Sequence, residues 1–357
     1  MAAILWASFG RVALPDRLRG WITVQGAVTL ALAPVLFLLF QQVSLISPFA
    51  NAIAIPVVSW LITPLALLGV LAPPLWHAAA WLMQWLGRLL AWASDLPLAV
   101  LTLPAPAWWA TALALAGAVW MLLPRGFPLR ALGLVLWLPL LFPPRDAIAP
   151  GHFRTEAIDV GQGTAVLIRT AHHALLYDTG AGFADSDSGE RIIVPFLRAS
   201  GVGELSGLIV THDDNDHTGG MRSVLRDVPT RWLLHGLPAA SPLLEGAPAA
   251  RACARGQRWT WDGVRFEILN PRPADADAHR RDNDHSCVLR VSNARHGLLL
   301  TGDGERRSEL ELLESGLLSP VDVLFAGHHG SRTSSIPEFV AAPRPECRRN
   351  WRRERVF

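Results

Sequence analysis

Residues 211–220 read THDDNDHTGG, with two histidines and three aspartates between 211 and 217 and a double glycine to close. His212, Asp214, Asp216 and His217 alternate so that several side chains can converge on one point from a single turn. Neutral imidazoles and carboxylates are the ligands that suit Zn²⁺ or Mn²⁺. Gly219 and Gly220 allow a tight turn beside such ions and the start of a helix. A solvated acidic loop with two stray histidines is the plainer alternative. The stretch follows directly on an apolar run, GLIV at 207–210, which favours the metal reading.

Other strand ends supply partners. FRTEAIDVGQGTAVLIRT (153–170) and HHALLYDTG (172–180) are short β-rich runs that present Asp159 and Asp178 at turns. RIIVPFLRASGV (191–202) reads as a helix stopped by Gly201. HGLLLTGDGE (296–305) ends at Asp303, and VDVLFAGHHGS (321–331) ends at His328 and His329. Three apolar strands that each deliver ligand-type residues at their C-terminal ends predict an α/β sheet with its site at the rim.

The first 149 residues are different in kind. Only seven Arg and three Asp carry charge before position 150, in a chain with 51% hydrophobic residues, 15 Trp and a net charge of +2. Every basic residue is Arg, and the small net charge does not by itself call for a nucleic-acid partner. Residues 22–40, 51–72, 97–123 and 127–143 are expected to span a membrane, with Trp108, Trp109 and Trp120 as interfacial anchors. The segment 75–94 carries Gln84 and Arg88 at i, i+4 and either lies in the interface or spans. Four spans would leave Arg125 and Arg130 outside. Five return them to the side of Arg11, Arg17 and Arg19 and put the C-terminal domain outside the cytoplasm, which the positive-inside rule prefers. No cleavable signal is expected, because those first arginines follow the opening apolar residues. Cys253, Cys287 and Cys347 are odd in number and lack a CxxC spacing, so they read as incidental thiols.

THDDNDHTGG matches the HxDxDHxGG form of the metallo-β-lactamase fold. With DVGQGTAVLI, YDTG, NDHSCVLRV, LLLTGDGE and HHGSRTSS in this order, the C-terminal half resembles that of ComEC, the DNA-uptake channel of bacterial natural competence. QVSLISPFANAIAIPVVSWLITPLALLG (42–69) is similar to that family's competence membrane domain. The resemblance implies an α-helical transmembrane bundle over 1–149 and an α/β metallo-β-lactamase-like αββα sandwich over 150–341. Relatives carry more at both ends, so the chain is expected to be truncated there, with an atypical basic tail over 342–357 that suggests a shifted reading frame.

The resemblance also implies a site for two divalent metal ions, Zn or Mn. His212 and Asp214 would hold the first ion, Asp216 and His217 the second, and Asp303 would bridge them. One of His328 and His329 would complete the second site. Asp216 would also orient or deprotonate the attacking water, with Asp303 the other catalytic residue. Asp178 is expected to orient a ligand histidine. Asn283 and Ser286 stand where many relatives place a further histidine, with His285 as a substitute. Asp159 and Gln162 line the site or form a turn, and Arg332 either holds a neighbouring phosphate or is a solvated loop residue. His172, His173, His235 and His296 read as surface histidines.

The function implied is DNA uptake in transformation at the inner (plasma) membrane. The helices would form part of a channel for single-stranded DNA, and the outer domain would be a phosphodiesterase that degrades the strand not imported. The partners implied are single-stranded DNA, membrane lipid and other competence DNA-uptake proteins, with homo-oligomer formation left open. Two rivals stand beside this reading: a DNA-guiding domain without catalysis, and a membrane-anchored ester or lactone metallohydrolase.

Overall fold

The computed structural model describes residues 16–96, 99–124, 126–143, 147–272, 282–343 and 347–349. Arg11, Arg125, Arg145 and most of the 342–357 tail lie outside them. The chain divides into two compact units, Met1–Arg145 with Arg198–Gly201, and Asp146–Leu197 with Val202–Phe357.

The first unit is helical: α1 (Asp16–Phe40), α2 (Ser47–Leu68, with one π turn at Val57–Ile62), α3 (Pro74–Ser94), α4 (Trp108–Leu122) and α5 (Arg130–Leu141). Strand β1 (Gln42–Ser44) pairs antiparallel with β2 (Val100–Thr102). α4 buries a stripe of small residues, Ala110, Ala114, Gly117 and Ala118, at helical spacing. A Cβ on Gly117 would meet the Gly133 carbonyl oxygen, so α4 and α5 approach backbone to backbone, as small residues allow in membrane helices. Large apolar side chains face outward, with Trp60 80% and Leu71 84% exposed, a surface suited to lipid rather than water.

Among the described residues two helices are long and apolar enough to cross a membrane, Thr23–Phe40 within α1 and Ser47–Leu68. The expected spans at 97–123 and 127–143 are corrected to shorter helices. Residues 100–102 form a strand, and Pro104 and Pro106 hold the chain out of helix until Trp108. The 15 residues of α4 reach about 22 Å, short of a bilayer's hydrocarbon core. α3 has the length, 21 residues, but turns Gln84 and Arg88 outward.

The second unit is an αββα sandwich. One sheet runs β3 (Arg154–Ala157), β4 (Val166–Arg169), β5 (Ala174–Tyr177), β6 (Gly207–Val210), β7 (Leu233–His235) and β8 (Ala250–Ala252) in that order, with β5 to β8 parallel. The other runs β14 (Cys347–Arg349), β13 (Val323–Phe325), β12 (Gly297–Leu300), β11 (Val288–Ser292), β10 (Val264–Asn270) and β9 (Arg258–Trp261), antiparallel except for β12–β13–β14. Strand alternation splits the apolar residues. Ile168, Leu175, Tyr177 and Ile209 face Phe266, Ile268, Leu289 and Leu300 between the sheets. Leu167, Leu176 and Leu208 pack outward on Val194 and Leu197 of α6 (Val194–Ala199) and Val224 of α8 (Met221–Asp227). Leu299 and Leu324 do the same beneath α9 (Arg306–Glu314) and α10 (Pro337–Ala341). Strands buried on both faces explain the unbroken runs GLIV and GLLL.

A bond between Cys253 and Cys287 corrects the reading of these cysteines as incidental thiols. Cys253 follows β8 and Cys287 precedes β11, so the bridge staples one sheet to the other inside their shared core. A separation of 34 residues leaves no local spacing signal; the packing of the sheets brings the two Cα atoms to 5.8 Å.

Candidate metal centre

The parallel strands end together at one rim, and the candidate ligands stand on the turns that follow. β5 delivers Asp178, which is fully buried and adopts φ 61°. β6 delivers Thr211 and His212, followed by the short helix α7 (Asn215–Thr218) that carries Asp216 and His217. β12 delivers Asp303, and β13 leads to His328 and His329.

These side chains converge. His217 Nε2 lies 3.1 Å from Asp303 Oδ1 and 3.3 Å from His329 Nε2. His329 Nε2 lies 3.1 Å from Asp216 Oδ2 and 3.6 Å from Asp303 Oδ2. His212 Nε2 lies 3.3 Å from Asp214 Oδ2. Two donor groups result, His212–His217–Asp303 and Asp216–His217–His329, each with its atoms within 4.8 Å of one another.

The neighbouring hydrogen bonds set the imidazole tautomers. Asp178 Oδ2 accepts from Thr211 Oγ1 at 3.0 Å and from His217 Nδ1 at 2.8 Å, while Oδ1 accepts from the Thr211 amide. With its proton on Asp178, the Thr211 hydroxyl accepts from His212 Nδ1 at 2.9 Å. Both rings therefore turn Nε2 toward the common point, the nitrogen that a metal would take in place of any proton there.

Charge makes the same case. Burial opposes a proton on His217, but Asp178 and then Asp303 overcome it and hold its pKa well above the ordinary value. The hydrogen bond from His329 leads in holding the Asp216 carboxyl far below the usual range. Burial and the neighbouring His217 push His212 down. Asp178 and Asp303 are both buried carboxylates within reach of one imidazole, a negative excess that a cation offsets. The donor set thus fits divalent metal, and it is thicker on one side. His217 and Asp303 stand between the two sides; one adds Asp216 and His329, and the other adds His212 with the half-exposed Asp214.

The remaining candidates separate. His328 points elsewhere, its Nδ1 3.0 Å from Thr333 Oγ1 and 3.5 Å from Glu305 Oε1. His328 and His329 take left-handed φ values of 48° and 50°, a costly turn that throws their rings to different sides. Ser286 is buried; its Oγ accepts from the Asp303 amide at 3.1 Å and lies 3.4 Å from His212 Nδ1, so it braces ligands. Asn283 and His285 sit on the turn Asp282–His285, and His285 joins neither donor group. Gln162 Nε2 donates to Asp216 Oδ2 at 3.3 Å, whereas Asp159 caps its own turn through the Gly161 amide. Arg332 is exposed on the turn after His329. His235, expected at the surface, is 6% exposed, because β7 is covered on both faces. Sequence reasoning missed the bracing roles of Thr211 and Ser286, for which hydroxyls beside ligand positions are the sole signal.

A profile described as the metallo-beta-lactamase superfamily matches residues 158–349. The chain belongs to that superfamily. Ahead of it a profile described as competence protein matches residues 2–128, so a competence domain precedes the superfamily domain, as in ComEC-type proteins. Competence protein ComA of Neisseria gonorrhoeae is 39% identical over 353 residues, 97% of this chain and 48% of that protein. Recombination protein 2 of Haemophilus influenzae is 37% identical over 194 residues, 54% of this chain and 23% of that protein. The chain thus spans about half or less of the length of these curated relatives. Among solved structures, the metallo-beta-lactamase fold protein YhfI of Bacillus subtilis aligns at 13% identity and a TM-score of 0.31, covering 46% of this chain and 63% of that one.

Proposed function

We propose that the chain serves DNA uptake in natural transformation at the cell's inner membrane. Its helices contribute to a passage for single-stranded DNA, and its second unit is a phosphodiesterase, outside the cytoplasm, that degrades the strand not imported. The observation that carries this reading is His217, pinned through Nδ1 by the buried Asp178 while its Nε2 meets Asp303 and His329. Such a ring is immobilised for one task. The similarity to competence proteins along nearly the whole chain supports DNA as the polymer handled.

Two divalent ions, Zn or Mn, would neutralise charge on the phosphodiester and supply an activated water. Asp216, His217, Asp303 and His329 would hold one, and His212, Asp214 and Asp303 the other. Asp178 keeps His217 in the ligating tautomer, and Thr211 does so for His212. Asp216 faces the same point, with His329 and Gln162 holding its carboxylate ionised, so it suits a metal ligand that also orients water by accepting a hydrogen bond.

The chain solubilised in detergent should cleave single-stranded DNA with Mn²⁺ or Zn²⁺ and stop with a chelator. Asp303→Asn should lower the cleavage rate by more than the roughly 10- to 100-fold typical of outer positions while still binding DNA through phosphate contacts elsewhere. A metal-loaded chain that leaves DNA intact but opens a lactone or thioester rejects this reading. Binding without cleavage favours a guiding domain, a second reading that the thin His212 side supports, since Ser286 stands there without adding an imidazole.

A further inference from the structure

One aromatic side chain of the second unit is placed where burial does not explain it. Among the described residues of that unit, the large apolar side chains exposed by more than a third are Phe183, at 50%, and Leu310, at 38%. Leu310 lies on the outer helix α9. Phe183 lies beside the candidate metal centre. Its neighbour Gly182 is clamped to the metal loop in both directions: the Gly182 amide donates to Asn215 Oδ1 at 3.3 Å, and Asn215 Nδ2 donates to the Gly182 carbonyl at 3.0 Å. Asn215 stands between Asp214 and Asp216. A Cβ on Gly219 would run into the Gly182 amide, so the two segments are in backbone contact.

The turn that carries Phe183 is braced at its base. The Phe183 amide donates to the Ser186 carbonyl at 2.8 Å, and the Ser188 amide donates to the Ala181 carbonyl at 2.9 Å. Asp187 closes the turn by accepting from Ser223 Oγ at 2.6 Å and from the Glu190 amide at 2.8 Å. A ring carried on such a braced turn has little backbone freedom left to lose when a flat ligand meets it. The Arg191 guanidinium lies over the ring, 5.8 Å from its centroid, a cation on one face.

We propose that Phe183 and Arg191 form a nucleobase platform at the edge of the metal centre, which rests on the nuclease reading above. A base of single-stranded DNA stacks on the open face of Phe183, and Arg191 meets an adjoining phosphate. Every base has a π face, so such a platform accepts any sequence, as degradation of an arbitrary strand demands. It also favours an unpaired strand over a duplex, whose bases are already stacked on each other. The platform thus assigns to this chain a strand-type preference set beside the ligands rather than by them.

The test measures binding by the detergent-solubilised chain of two fluorescent probes of equal charge: a short single-stranded oligodeoxynucleotide and the same length built of abasic sites. The wild type should bind the base-containing strand more tightly. Phe183→Ala should weaken that strand by about 5- to 100-fold and leave the abasic strand unmoved, so that the two probes converge. Phe183→Trp should keep the preference, which separates stacking from damage to the loop, and metal content per chain should match the wild type in both variants. Arg191→Ala should weaken both probes alike and lower the salt slope by about one. If Phe183→Ala keeps the preference for bases, or the wild type binds both probes equally, the platform is overturned while the nuclease reading stands. If the wild type binds neither probe, DNA as the substrate falls and the platform with it. Cleavage failing while base preference persists rejects the nuclease reading alone.

Discussion

Asp178 shows how much a single residue does here. It sits buried in a left-handed backbone conformation and touches no candidate ion, yet it fixes the Thr211 amide, the Thr211 hydroxyl and the His217 ring. The adjacent histidines His328 and His329 divide sharply, since His329 alone of the two approaches Asp216, His217 and Asp303. His329→Ala should therefore lower metal binding by more than about 10-fold, whereas His328→Ala should leave it within about twofold. Elemental analysis after dialysis against graded free metal checks this, and equal losses would undo the assignment. The raised pKa of His217 gives a pH prediction with a definite sign. An entering ion must displace the proton that Asp178 and Asp303 stabilise, so metal affinity should climb with pH and still be climbing above pH 6.5, the ring's ordinary value. Competition titrations at pH 6, 7 and 8 that return one affinity would contradict it.

At the scale of elements, the staple between the sheets is the feature with the largest expected energy. Closing a loop of 34 residues should stabilise the second unit by about 3 to 4 kcal/mol on the chain-entropy account. Replacing both Cys253 and Cys287 by Ser should lower the unfolding temperature of that unit by roughly 10 °C. The bond also lies next to the site, for Cys287 follows Ser286, its amide donates to the Thr211 carbonyl at 3.2 Å, and its own carbonyl accepts from the buried Tyr177 hydroxyl at 2.7 Å. The paired variant should therefore loosen Ser286 and weaken metal on the His212 side more than on the His329 side. Thermal melts and metal titrations of the variant decide both points; an unchanged melt would mean the bond adds nothing to the fold. The loop after His329 is held separately: Glu309, buried on α9, accepts from the Ser335 and Ile336 amides.

For the molecule as a whole the question is which side of the membrane the second unit occupies. A buried disulfide persists in an oxidising compartment, which agrees with placement outside the cytoplasm. A reporter fused after Arg145 should read as extracytoplasmic, and Cys253 and Cys287 should resist alkylation in denaturant after an acid quench of the cells until a reductant is added. A cytoplasmic reporter signal with freely alkylated cysteines would move the unit inside and remove its meeting with incoming DNA. Part of this molecule was legible from the chain alone, because short-range patterns encode it. THDDNDHTGG together with apolar strands ending on Asp178, Asp303 and the His328–His329 pair was enough to expect an α/β sheet with ligands at its rim, since strand burial is written in local periodicity; the αββα sandwich came from the family resemblance of those motifs. The charge-poor first half likewise announced helices. What needed the tertiary structure is everything set by long-range packing: the pairing of Cys253 with Cys287, the division of labour between His328 and His329, Ser286 as a brace rather than a ligand, and the shortening of the helix that begins at Trp108. Each depends on which surfaces meet across tens of residues, and one-dimensional spacing carries no record of that.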